Sequence, residues 1–452
     1  MAVSPVMQKL SEYIAAAADR PLPPEVAAKT KHHVLDTLAS MVSGSRLKPG
    51  ELAIAFARSQ GGAPEATVIG SDVQTTAINA AMCNGYMAHA DETDDSHAPS
   101  LTHPGCAVVP AAFAMAERQN AGGEALLRAV TLGYDVGSRI GRLMNDAGRV
   151  SGFATHAFGP LFGCAAAAAS LARLNPKQVR DVLAYTAQQA SGVTSWQRDG
   201  EHVEKAFVFA GMGARNGVTS AVFVQHGFSG EEDAFAGDHN FLEVFCKGGG
   251  DLEKWVDNLG EHYEIMITNI KKFCVGSPIQ APADAMEDLL RTNSIPAASV
   301  QDIAVHLPPH SMLVVNGRHM PDVNCQYILA AMVLDGKLTF KAAHDYGRMS
   351  APDIQALVAK TRLVGDDRFA GMEAQRPGLV RVTMSDGRTL EKLVERVRGT
   401  ADNPMTQQEV ADKAIDLLTD ITGAERARKL VDTVWGLDQV ASVRELRGLL
   451  TA

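Results

Sequence analysis

The sequence predicts a mainly helical protein: a large all-helical domain, a smaller α+β domain, then helices again. Three observations carry that reading. Alanine is abundant while aromatic residues make up only 6% of the 452 residues, which suits closely packed helices better than an all-β fold. Apolar residues recur at three- and four-residue spacing through most of residues 1 to about 265. The character changes near residue 267, with strand-like alternation at 303–307 and 379–397.

The elements follow in order. Pro24-Glu25 opens VAAKTKHHVLDTLASMVSG, which ends at Gly44; proline suits a helix start and glycine its end. Residues 76–88, 107–118 and 124–143 continue the pattern. GCAAAAASLARL (163–174) is a strong helix former whose small side chains let a neighbour approach closely. A helical bundle with a polar pocket at its helix ends is the expected result. Further on, IAVHL (303–307) sets Ile303, Val305 and Leu307 on one face, as a half-buried strand would. LVRVTMSDGRTLEKLVERV (379–397) reads as a β-hairpin turning at Asp386-Gly387, with helices expected near 325–335 and 350–360. After Asn403-Pro404, Thr406 and Glu409 form a capping box ahead of VADKAIDLLTDI. The expected domains are residues 1–266 (helical), 267–399 (α+β) and 400–452, helices that return to the first domain.

Composition narrows the function classes. A net charge of −10 and the lack of a basic tract argue against nucleic acid or an anionic membrane as partner. No run of about twenty apolar residues suggests a transmembrane span, and the N-terminus does not read as a secretory signal. Six scattered cysteines without a CxxC pair suit free thiols in a reducing compartment, so a cytoplasmic location is expected.

One stretch looks built for chemistry. HADETDDSHAPSLTH (89–103) packs seven ionisable side chains into fifteen residues, with no Lys or Arg from Ser59 to Glu117. Crowded carboxylates and imidazoles shift one another's pKa values, as proton transfer near neutral pH requires. Pro104-Gly105 follows, and the Gly105–Val108 amides at a helix start would favour an anion. A solvated acidic loop would show the same charge density, but three histidines and nearby prolines argue for function. Recognised metal-ligand spacings are absent, so no metal is expected. GFATHAFGPLFG (152–163) places His156 in a glycine-rich helix start without a nucleotide-binding spacing; a core histidine is the plain alternative. WQRDGEHVEKAFVFAGMGARNG (196–217) supplies Arg198, His202, Lys205 and Arg215, of which Lys205 is the best partner for a substrate carboxylate. IKKFCVGSP (270–278) puts Lys271 and Lys272 at the domain junction, where ligand sites are common.

These motifs together resemble the MmgE/PrpD family, whose members include 2-methylcitrate dehydratase, cis-aconitate decarboxylase and iminodisuccinate epimerase. HADETDDSH…THPG matches the HAxxxDD…HPG hallmark. Similarity continues through 152–168, 204–217, 270–273, 321–336 and the NPMT at 403–406, so it covers essentially the whole chain. The resemblance implies a helical domain with an inserted α+β lid, a homodimer, and a site between domain and lid that needs no cofactor. It places Glu92 at the first catalytic acid, Ser96 at a common hydroxyl position, His103 at the HPG histidine and Lys271 at a lysine near the substrate. The chain also departs from the pattern. Ala154 stands where a histidine is frequent, with His156 two positions on; Gly276 replaces another histidine; Lys205 is one position off the usual lysine. The resemblance therefore transfers the fold and leaves the substrate open.

The family's common chemistry moves a proton at a carbon beside a carboxylate, which needs a base and a cationic clamp. The expected function is a lyase, a dehydratase first, acting on a small di- or tricarboxylic acid. His103 is the principal acid/base and His156 its counterpart on the opposite face. Glu92 and Asp95 orient them, and Lys205 and Lys271 (or Lys272) bind carboxylates. An epimerase or decarboxylase on the same scaffold, or a non-catalytic carboxylate-binding protein, are the alternatives.

Overall fold

The computed structural model describes residues 3–146, 152–247, 249–372 and 376–451. They form two compact units: 1–90, 94–268 and 417–452 make up the larger, and 91–93 with 269–416 the smaller.

The larger unit is helical, with one short antiparallel ribbon of β1 (Ala66–Thr67) and β2 (Gln74–Thr75): α1 (Pro5–Ala16), α2 (Pro24–Gly44), α3 (Lys48–Gln60), α4 (Ala77–Ala88), α5 (Pro104–Gln119), α6 (Gly123–Asp146), α7 (Thr155–Leu171), α8 (Pro176–Gln188) and α9 (Val203–Gln225). Helix α5 is the central one, buried from Pro104 to Glu117. The small residues that the sequence concentrates around 163–174 line a close seam between α6 and α7. There Gly133 and Gly137 face Gly163 and Gly159, and a Cβ on Gly163 would fall 2.3 Å from the Gly133 carbonyl oxygen. Helix α9 is long and apolar enough to cross a membrane by composition alone, yet 72% of that window is buried inside the fold, as a core helix is.

The smaller unit is α+β. Its four-stranded sheet runs in the order β4-β3-β5-β6, taking β3 as Val300–Leu307, β4 as Thr361–Gly365, β5 as Gly378–Met384 and β6 as Thr389–Val394. Strand β3 pairs parallel to β4 and antiparallel to β5, and β5–β6 is an antiparallel hairpin. Ile303, Val305 and Leu307 lie on the buried face with the helices Gln280–Thr292 and Cys325–Asp335. Gly387 takes φ +86° at the hairpin turn, which glycine adopts without strain. Thr406 and Glu409 exchange the hydrogen bonds of the capping box. The fold class is therefore mainly α with a smaller α+β part.

Candidate active site

The His89–His103 segment leaves α4 at His89 and ends as the N-cap of α5 at His103. Apart from the partly exposed His103, its ionisable residues are buried rather than solvated, with Asp94, Asp95, His89 and His97 fully so. Asp94 and Asp95, adjacent in the chain, face different partners. Asp94 Oδ2 lies 2.9 Å from His89 Nδ1 and 3.1 Å from His103 Nδ1. Asp95 accepts hydrogen bonds from the Gly105 amide at 2.9 Å, from Tyr134 Oη at 2.5 Å and from His33 Nδ1 at 2.7 Å. The chain thus supplies its own anion at the start of α5, so the first amide expected to favour a ligand is already engaged. Gly105 is required there: a Cβ would come within 2.5 Å of the Tyr134 hydroxyl.

A second feature gathers the motifs. Within α9, Phe207–Gly211 forms a π-helical turn, a local insertion often found at functional sites. Phe209 on this turn is a buried aromatic floor. The His89 ring stacks on it at 4.7 Å and 5°, and His156 at 4.5 Å and 29°. His103 and Trp196 meet it edge-on at 5.6 and 4.7 Å. Lys205 Nζ lies 5.3 Å from its centroid and 5.8 Å from that of Trp196. His202, held at φ +61°, brings its ring 5.1 Å from that of His89. Three segments singled out in the sequence therefore converge on one side chain that sequence reasoning did not select.

Burial sets the electrostatics. It pushes the His89 imidazole down toward its neutral form, against the opposing pull of Asp94. It raises the Cys106 thiol well above its ordinary value, and the nearby Asp94 charge adds to this. The Tyr134 hydroxyl moves the same way, through burial and then the Asp95 charge.

The smaller unit holds its own polar cluster around residues 91–93. Lys271, buried, donates to the Glu92 carbonyl at 2.8 Å and lies 3.4 Å from Glu92 Oε2. Lys413 donates to the Thr93 carbonyl at 3.0 Å. Asp91 accepts from the Thr93 amide and hydroxyl and pairs with His344 Nε2 at 2.8 Å. Burial pulls the His344 pKa down, but the Asp91 hydrogen bond and charge outweigh it and bring it to about 9. Arg376 is strained at φ +54°; burial lowers its guanidinium to about 10 against the opposing Glu92 charge. The two neighbouring lysines separate clearly: Lys272 pairs with Asp284 at 2.9 Å and with Glu287. Ser96 is buried in the larger unit. There His97 also lies, 3.0 Å from Glu264 and 2.7 Å from Ser100 Oγ.

Among the described residues, His89, Asp94 and Cys106 offer ligand atoms within 4.8 Å of one another. One Asp94 oxygen of this group already serves two imidazoles.

His89 and His103 thus share one Asp94 oxygen, and both rings meet the Phe209 ring together with His156 and Lys205 in the larger, helical unit. The MmgE/PrpD N-terminal domain matches residues 8–252 and the MmgE/PrpD C-terminal domain residues 273–439, so the chain belongs to the MmgE/PrpD family. It is similar to the cis-aconitate decarboxylase-like protein oryM of Aspergillus oryzae, 27% identical over 99% of this chain and 97% of that protein. It is 24% identical to the cis-aconitate decarboxylase of Aspergillus terreus, over 99% of this chain and 96% of the relative. The human cis-aconitate decarboxylase is 21% identical over 94% and 90%.

Proposed function

We propose that this chain is a lyase acting by proton transfer beside a carboxylate of a small tricarboxylic acid, with decarboxylation of cis-aconitate as the reaction to test first. The observation that carries this reading is the convergence of His103, His156 and Lys205 on the Phe209 floor. In a decarboxylation the carbon–carbon bond to one carboxylate breaks, CO2 leaves, and the electron pair stays on carbon until an acid protonates it. Apolar aromatic walls weaken the solvation that otherwise stabilises the departing carboxylate. A protonated imidazole then delivers the proton, and a preorganised cation holds a remaining carboxylate. His103 is the proposed acid/base, His156 the second, and Lys205 the cation. Asp95 acts by fixing the first turn of α5. In the smaller unit Lys271 is the proposed carboxylate ligand, oriented by Glu92; Lys272 is committed to its own acidic partners and is left out. Ser96 is proposed as a hydroxyl contact.

Two imidazoles on one floor also suit dehydration, in which one removes a proton from carbon and the other protonates the departing hydroxyl. Proton NMR in D2O with cis-aconitate and with 2-methylcitrate separates the outcomes. Loss of CO2 supports the decarboxylase, and water elimination the dehydratase. Exchange at the α-carbon alone would mark an epimerase. Binding without turnover would sink the enzymatic reading. A homodimer of the 48.0 kDa chain, working in the cytoplasm on its own side chains without a cofactor, completes the proposal. The six cysteines are free and buried, which accords with a reducing compartment.

A further inference from the structure

The shared oxygen of Asp94 has a consequence that deepens the proposed acid/base role of His103 and rests on it. An ionised carboxylate accepts hydrogen bonds and donates none. With Asp94 ionised, both rings, at 2.9 and 3.1 Å from that oxygen, carry their hydrogen on Nδ1, which leaves the lone pair of each on Nε2. We infer that Asp94 is the positioning residue of the proton-transfer centre: it locks His103 and His89 together as Nδ1–H tautomers and presents His103 Nε2 as the proton-accepting atom.

The two rings are not equivalent. His89 is fully buried and stacked flat on Phe209, and its Nε2 has no hydrogen-bond partner among the described groups. It acts as a fixed neutral donor that holds one side of the carboxylate. The His103 side chain is 17% exposed, so its ring keeps an open edge. When His103 takes a proton, the Asp94 carboxylate oxygen lies 3.1 Å from that imidazolium. The other charged or titratable groups near the pair are Lys205, His202 and Cys106 around His89 and Asp94, with Asp95 turned to His33 and Tyr134.

The test is Asp94→Asn, read in two ways. A carboxamide can donate as well as accept, so the tautomer is no longer enforced. Long-range 15N–1H spectra of histidine-labelled protein should show His89 and His103 as Nδ1–H in the native chain and a shift of His103 toward Nε2–H in the variant. kcat should fall on the order of 10²–10⁴-fold, with KM changed by less than about threefold. Should Asp94→Asn fail to fold, His89 variants carry the test. His89→Asn keeps an amide donor for Asp94 and should recover turnover that His89→Phe loses. Native His103 in the Nε2–H form, or an Asp94→Asn enzyme with native kcat, would overturn the inference. The spectra need no substrate, so they judge Asp94 even if His103→Ala turns over normally and the acid/base reading itself fails.

Discussion

At the scale of single residues, the sequence displayed the ionisable segment but hid its internal division. The density of acids and histidines from His89 to His103 was visible, as was the match of Glu92, His103 and Lys271 to the family motif. That Asp94 binds His89 and His103 while Asp95 binds His33, Tyr134 and Gly105 depends on tertiary neighbours from α2, α5 and α6. His33 left a faint signal, a polar residue on a helix whose apolar residues recur at three- and four-residue spacing; Phe209 left none, since one phenylalanine among apolar residues reads as core. Lys271 and Lys272 give a sharp contrast. Lys271→Met removes the buried ammonium that donates to the Glu92 carbonyl and lies 3.4 Å from its carboxylate, a loss of about 1–3 kcal/mol with impaired turnover. Lys272→Met should cost under about 1 kcal/mol and leave kcat unchanged. Thermal melts and steady-state kinetics of the two variants check this. His344 supplies a pH dependence. Its folded pKa of about 9 exceeds the ordinary 6.5, so its stabilisation is complete below 6.5 and fades as pH rises through 9. Melting of the native chain should therefore fall between those values, and His344→Gln should flatten the fall; an unchanged slope would contradict the assignment.

At the scale of elements, helix limits and the hairpin were legible because caps, periodicity and turn residues are local. The helix Cys325–Asp335 and the turn at Gly387 lie where the pattern put them. The π-helical turn at Phe207–Gly211 was not legible, because it is imposed by packing within an apolar stretch. Nor was the parallel pairing of β3 with β4, whose partners are 58 residues apart, as at Ile303 and Thr361. The α6–α7 seam is a direct test of element packing. Gly163→Ala forces the helices apart at the Gly133 carbonyl and should cost about 1–3 kcal/mol by chemical denaturation. Gly448→Ala, whose added Cβ meets nothing within 4 Å, should be neutral or slightly stabilising.

At the scale of the whole molecule, a contiguous reading of domains misses one detail of consequence. Asp91–Thr93 belong to the smaller unit although the residues on either side belong to the larger. Three residues of the hallmark segment are anchored there by Lys271, Lys413 and His344. Such an exchange carries no sequence signature, since it is written in residues roughly 180 to 320 positions away. The central claim is that this family member performs proton-transfer chemistry on a tricarboxylic acid through His103. It is tested most directly by proton NMR of cis-aconitate with the native chain and with folded His103→Ala. Turnover by the native chain and a loss of at least 10²-fold in the variant are predicted. Equal turnover by both, or none by the native chain with any tricarboxylic acid offered, would contradict the account.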